Sequence, residues 1–271
     1  MYKLVALDMD GTLLNSDKVI SQENKDAIAK ARKAGVKVVL ASGRPLEGMQ
    51  SKLDELEIDG TDDFVLFYNG SMVQNVSTKE IIHSKISNGQ AAKAIAKLAN
   101  ELGGYVHAFS KKHGLITPQN NEYTQIEATI NGLDITEFNF SDLEDSHEII
   151  KTMIVAEPSK LTEIISKLSP ELHKEFTIVQ SAPFFLEFLN PESNKGVGIE
   201  AIANHLGIKA EEVICMGDAE NDHHMLEYAG LGIAMENAMD ETKAIADYIT
   251  AGNNEHGVAR AIEKFILEPM A

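Results

Sequence analysis

Two aspartates one residue apart, Asp8 and Asp10, stand where the apolar run Leu4-Val5-Ala6-Leu7 gives way to Gly11-Thr12-Leu13-Leu14. Unpaired carboxylates this close repel each other, and one takes up a proton unless a cation sits between them. A hard divalent ion held by one or two carboxylates and a phosphate suits that donor set. The plain alternative is a turn, because Asp-Gly is a common turn pair and Asp10 could cap the next element. Position weighs against it. A short apolar run reads as a buried parallel strand, and open α/β sheets place their chemistry just past the carboxyl ends of such strands.

Three further loops carry groups of matching chemistry. Ser42-Gly43 follows an apolar run at 36–41, Lys195 stands in the first turn of a helical pattern at 195–206, and Asp218, Asn221 and Asp222 follow an apolar run at 213–216. Each has a plainer reading alone: Ser42 as a cap for a helix at Pro45, Lys195 as a solvated side chain, and the acidic run as a helix start favoured by the dipole. Yet a lysine in a first turn opposes that dipole. The four loops in this order, at strand and helix ends, point to one edge of one sheet.

The intervening sequence supplies the elements that hold these loops. Ser21 precedes a helical pattern with Ala27, Ile28 and Ala31 on one face, and Gly35 stands where that helix would end. A right-handed strand-helix-strand crossover would set the strand at 36–41 beside the first and bring Ser42 near Asp8. A helix is expected from Pro45, and a strand at 64–68 closed by the hairpin pair Asn69-Gly70. From 83 to 189 the texture changes: helices near 90–102, 121–130 and 158–168, and strands at 105–109, 149–156, 176–180 and 185–189, lack the acidic and glycine loops. The first pattern returns with the helix at 195–206, strands at 213–216, 231–235 and 248–250, and an amphipathic helix at 258–267. The expected fold class is α/β, a Rossmann-like, mostly parallel sheet from 1–82 and 191–271 with an α+β cap, 83–190, inserted in it.

The totals agree with two domains: 271 residues exceed the usual single core, and 44% hydrophobic with 24% charged residues is a globular composition. A formal net charge of −18 argues against nucleic acid or an anionic membrane as partner. It also means that a phosphate site here must draw positive charge from a metal ion and a few placed basic residues. No basic leader precedes an apolar stretch and no run of about 18 apolar residues occurs; the expected compartment is the cytoplasm. The single cysteine, Cys215, lies in an apolar run and reads as core filler.

In wording and order the four loops resemble the motifs of the haloacid dehalogenase superfamily of phosphatases. The insertion is similar to that of its subclass with a large α/β cap. Val39-Leu40-Ala41-Ser42-Gly43-Arg44-Pro45, Tyr68-Asn69-Gly70, Ser181-Ala182-Pro183-Phe184-Phe185-Leu186-Glu187, Asn194-Lys195-Gly196 and Gly217-Asp218-Ala219-Glu220-Asn221-Asp222 resemble the Cof-type, YidA-like sugar phosphatases over essentially the whole chain. Ala219 departs from the polar residue that relatives often carry. The resemblance implies Asp8 as nucleophile forming an aspartyl-phosphate and Asp10 as general acid, then base. It implies Asp8, the Asp10 carbonyl and Asp218 as ligands of Mg2+. It gives the Met9 and Gly43 backbone, Ser42, Lys195 and Asn221 to the phosphate, and Asp222 and Thr12 to supporting roles behind them. Candidates for reading the substrate, a small phosphorylated metabolite, are Arg44, Asn69, His107, Asn121 and Tyr123, although a histidine in a strand is more often core.

The expected activity is hydrolysis of small phosphate monoesters, sugar phosphates first, by a monomer or homodimer. Two other readings share the carboxylates: a phosphoryl transferase such as a phosphomutase, and a phosphorylatable switch of the receiver type. A switch has no Asp-x-Asp acid/base partner, so Asp10 separates it from an enzyme. His223-His224 point about 100° apart on a helix and are poorly placed to share a metal ion.

Overall fold

The computed structural model describes residues 1–270. The chain opens with β1 (Leu4–Leu7), α1 (Gln22–Lys33), β2 (Lys37–Ala41), α2 (Gln50–Glu55), β3 (Phe64–Phe67), β4 (Met72–Asn75) and β5 (Ile81–Ser84). There follow β6 (Ser87–Asn88), α3 (Gly89–Leu102), β7 (Tyr105–Ser110), β8 (Gly114–Thr117), α4 (Glu122–Asn131), β9 (Ile135–Glu137), β10 (Glu148–Val155), α5 (Pro158–Ser166), α6 (Leu172–Glu175), β11 (Thr177–Ala182) and β12 (Phe185–Leu189). The last stretch is α7 (Lys195–Leu206), β13 (Val213–Gly217), α8 (His223–Tyr228), β14 (Leu231–Ala234), α9 (Asp240–Ile245), β15 (Tyr248–Ile249) and α10 (Gly257–Ile262), which continues as a π-helix to Leu267.

Two compact units result. One comprises Met1–Gly43, Met49–Ser84 and Asn194–Ala271; the other comprises Arg44–Gly48 and Lys85–Ser193. In the first, eight strands run in the order β15-β14-β13-β1-β2-β3-β4-β5, parallel from β15 to β3 and antiparallel beyond. Leu4, Ala6, Val39, Ala41, Val213 and Cys215 pack on Ile199, Ile202 and Ala203 of α7 and Met225 of α8. The alternate residues Val5, Leu7, Val38, Leu40, Ile214 and Met216 are buried as well, which is why these strands read as unbroken apolar runs. Burial also pushes the Cys215 thiol pKa far above its ordinary value. The order reverses between β1 and β13, and the crevice at such a reversal is where open α/β sheets bind ligands.

Local sequence accounts for the element ends. Ser21 caps α1 by accepting from the Asn24 N–H at 3.3 Å, Asn194 caps α7 through Val197, and Gly207 ends α7 in the left-handed region. The helix expected from Pro45 begins at Gln50 instead, with Met49 at its N-cap position, after one 3-10 turn at Leu46–Gly48.

In the second unit the strand order is β11-β12-β10-β7-β8-β9, with β6 against β10. One sheet face packs Val106, Ala108, Ile154, Leu186 and Phe188 on α3 and α5. The residues that alternate with these, His107, Lys151 and Glu187, are buried and polar. Lys151 Nζ donates to Glu187 at 3.0 Å, stands 3.9 Å from Glu127 of α4, and lies 4.9 Å from the centre of the Phe109 ring. Burial raises the Glu127 pKa, against the pull of Lys151. Lys151 thus helps to compensate two buried carboxylates, with Arg44 also acting on Glu127. Among the described residues no helix is long and apolar enough to cross a membrane.

Candidate active site

Asp8 is the first residue past β1, and its N–H donates to the Met216 carbonyl of β13, which extends the ladder by one bond. The chain then curls back, Leu13 N–H to the Asp8 carbonyl and Leu14 N–H to that of Met9, with Gly11 at φ 89°. A β-carbon on Gly11 would stand 2.3 Å from Asp218 Oδ2. No other residue fits that conformation and that gap. A Gly11→Ala protein is therefore expected to displace the Asp218 carboxylate and to lose at least tenfold in divalent-cation affinity, read by calorimetric titration.

Ser42 follows β2, buried, with its N–H on the Leu66 carbonyl and its carbonyl accepting from the Asn69 N–H. Asn69 is buried in the left-handed conformation, φ 54°. Its side chain fills the space that a β-carbon on Gly43 would need, 2.9 Å away, and its Oδ1 accepts from Asn221 Nδ2 at 2.9 Å. Asn69, expected from sequence as a substrate contact, links the Gly43 loop to Asn221. Gly70, at φ 88°, lets the same turn touch the Asn194 carbonyl ahead of Lys195.

Lys195 has no exposed surface. Its Nζ is 2.6 Å from Asp8 Oδ1 and 2.6 Å from Asp222 Oδ1, so the dipole misfit noted in the sequence is offset by two carboxylates. Burial alone would lower its pKa; Asp222 and then Asp8 outweigh burial and hold the ammonium above its ordinary value. The other Asp222 oxygen accepts from the Asp218 and Ala219 N–H groups at 2.9 and 3.0 Å. Asp218 Oδ1 accepts from Thr12 at 2.8 Å.

Carboxylate oxygens of Asp8, Asp218 and Asp222 lie within 4.8 Å of one another. Burial raises the Asp8 pKa well above the carboxylate range, Asp222 and Asp218 adding to the effect and Lys195 opposing it. Burial and then Asp222 lift Asp218 to about 6. A divalent cation reverses both shifts, and the donors fit one. Both Asp222 oxygens are already engaged by Lys195 and backbone N–H groups, so Asp8 and Asp218 are the carboxylates with capacity left for an ion. Asp10, at the edge of this group, accepts from Lys18 Nζ at 2.8 Å.

The remaining candidates lie in the second unit. Arg44 donates to the Gly48 carbonyl at 3.3 Å. Asn121 caps α4 by accepting from the Thr124 N–H, and Tyr123 stacks on Phe184 with ring centres 6.1 Å apart. His107 is core: it has no exposed surface, bonds Thr124 Oγ1 through Nδ1, and has its pKa lowered to about 3 by burial and then by Lys151. His223 bonds Thr242 while His224 is exposed, so the histidine pair does not converge. Sequence reasoning missed Lys18, whose one signal was a lysine two residues past the turn pair Asn15-Ser16.

A family model described as haloacid dehalogenase-like hydrolase matches residues 5–262. YxeH of Bacillus subtilis is 39% identical over 98% of this chain and 99% of its own. A second B. subtilis protein, the 5-amino-6-(5-phospho-D-ribitylamino)uracil phosphatase YcsE, is 34% identical over 98% and 96%. Among solved structures, the subclass IIB sugar phosphatase BT4131 superposes with a TM-score of 0.81 at 27% identity, covering 97% of this chain and 98% of that one.

Proposed function

Because this chain belongs to the haloacid dehalogenase-like hydrolases, as one of the family's phosphatases, we propose that it is a cytoplasmic, Mg2+-dependent phosphatase of small sugar or polyol phosphates. The observation that carries the reading is the Lys195 bridge: a buried cation 2.6 Å from a carboxylate at the end of β1, beside a second carboxylate with room for a metal ion. YcsE acts on a phosphorylated ribityl chain and BT4131 is a sugar phosphatase, which supports the substrate class.

In this reading an Asp8 carboxylate oxygen attacks phosphorus as the ester P–O bond breaks, and the Asp10 carboxyl gives its proton to the departing alkoxide. The Asp10 carboxylate then takes a proton from water as that water attacks phosphorus, the Asp8–phosphorus bond breaks, and inorganic phosphate leaves. The phosphoryl oxygens rest on the Met9 and Gly43 N–H groups, Ser42, Asn221 and Lys195, fixed donors whose cost of orientation is met on folding. Asp8, the Asp10 carbonyl and Asp218 would hold Mg2+, which supplies positive charge to the transferring phosphoryl group. Thr12 steadies Asp218, and Asp222 steadies Lys195. We assign the choice among esters to the inserted unit, with Arg44, Asn121 and Tyr123 as its candidate contacts.

Phosphate release from a panel of sugar phosphates, polyol phosphates and nucleotides, with Mg2+ and with a chelator, tests this. The expected result is release that needs the metal and is fastest on sugar or polyol phosphates. Release unaffected by chelation would sink the metal assignment, and an isomeric ester in place of free phosphate would make the protein a transferase.

A further inference from the structure

The turn after the Asp8 loop is built in an unusual way. Residues 15–19 form a tight reversal: the Lys18 N–H donates to the Asn15 carbonyl, Asn15 and Val19 pair through N–H and carbonyl at 3.0 Å, and the Asn15 side chain accepts from the Asp17 and Val19 N–H groups. Lys18 occupies the position that needs a left-handed backbone, φ 61°. Glycine is the ordinary residue there, because a β-carbon is strained. Lys18 adopts that conformation nonetheless, and its side chain reaches back to Asp10, Nζ to Oδ1, at 2.8 Å.

The turn is also anchored from a distant part of the chain. Asn254 Oδ1 accepts from the Ser16 N–H, Asn254 Nδ2 donates to Ser16 Oγ, and Asn253 Nδ2 donates to the Leu14 carbonyl. Asn237 accepts from the Asn253 N–H and donates to the Gly11 carbonyl. These bonds fix Gly11, Leu14 and Ser16 around Asp10, so the origin of the Lys18 side chain is set relative to the carboxylate it meets. An exposed ion pair between two floppy side chains contributes little to stability; one launched from a fixed, strained backbone onto a reacting group acts on geometry instead.

We infer that Lys18 is a positioning residue for Asp10. It fixes the Asp10 carboxyl through one oxygen, so that the group is held in place when it gives its proton to the ester oxygen and later takes one from the water. The inference rests on the acid/base role given to Asp10 above. It concerns the P–O cleavage step in which the proton passes from Asp10 to the leaving alkoxide. An alkyl leaving group needs that proton, whereas p-nitrophenolate leaves well without it.

The test compares kcat/KM for the best sugar phosphate of the panel with kcat/KM for p-nitrophenyl phosphate in wild type, Lys18→Gly and Lys18→Arg. Lys18→Gly removes the side chain while relieving the left-handed strain, so its melting temperature should equal or exceed that of wild type. It is expected to lose about tenfold in kcat/KM on the sugar phosphate and less than twofold on p-nitrophenyl phosphate, with Lys18→Arg near wild type on both. Equal losses on the two esters, or no loss on either, would overturn the inference while leaving the phosphatase reading intact. A wild-type protein that hydrolyses neither ester overturns the phosphatase reading and this inference with it.

Discussion

Replacing Lys195 with methionine is expected to lower phosphate release by about a thousandfold and to destabilise the protein by about 3–5 kcal/mol. The ammonium lies between Asp8 and Asp222, 2.6 Å from each, with no exposed surface. Methionine fills the volume and removes the charge, leaving two buried carboxylates to repel each other. At an effective dielectric constant of about 20, unit charges about 4 Å apart interact by roughly 4 kcal/mol. For a chain of this size the cost corresponds to a melting point lower by about 10 °C. The pH dependence has a definite sign. Asp8 is already raised above its unfolded value, and removing the ammonium raises it further. A carboxyl raised on folding favours the folded state at low pH, and that contribution is lost as pH rises through the folded value. The variant should therefore lie closest to wild type near pH 5 and furthest from it near pH 8. Thermal melts at the two pH values check this, and a deficit that does not depend on pH would contradict it.

Asp8→Asn is expected to cost at least about ten-thousandfold in turnover, since a neutral amide cannot form the phosphoenzyme. The fold should survive. Asparagine keeps the volume, and Lys195 retains Asp222 at 2.6 Å, whose second oxygen stays on the Asp218 and Ala219 N–H groups. Burial disfavours the charged form of Asp8, so the metal-free variant should melt at or above the wild-type temperature at neutral pH. Mg2+ should raise the melting temperature of wild type much more than that of the variant, which lacks one of the proposed ligands. Residual activity above about one per cent, with the fold intact, would move the nucleophile elsewhere.

The first unit was legible in the sequence because its strands are buried on both faces, so β1, β2 and β13 are short apolar runs with sharp ends. The site followed from the residues at those ends: Asp8, Ser42 and Asp218 are chemically distinctive and Lys195 is out of place in a first helical turn. The hairpin pair Asn69-Gly70 announced β4 without its bounds, and strands β5, β6, β8 and β9 were not anticipated. Ile81–Ser84 and Ile135–Glu137 are short and largely exposed, and Gly114–Thr117 follows the polar turn Lys111-Lys112-His113, so none carries an apolar run long enough to read. Lys151 lies within the strand expected at 149–156; its partners Glu127 and Glu187 come from α4 and β12, and no local pattern announces such a cluster. Asn69 was noticed for its turn, but its grip on Gly43 and Asn221 depends on a left-handed φ and on a residue 152 positions away. Lys18 escaped for the same reason: its meaning lies in a backbone angle.

The strand order has a consequence for how the molecule comes into being. β1 lies between β2 and β13, and its register with β13 pairs Leu4 with Val213 and Leu7 with Met216. During synthesis β1 can pair with β2 as soon as both have emerged, but its other edge stays open until β13, beyond the Lys85–Ser193 segment, is made. Pairings between such distant parts of a sequence form slowly, and an open apolar edge invites association with other chains. The Lys85–Ser193 segment, with its own sheet and core, is made in that interval and can fold before the first unit closes. The nascent chain therefore carries the Asp8 loop long before Lys195 can be set against it, so the buried ion pair between them forms only after the whole intervening segment has been made.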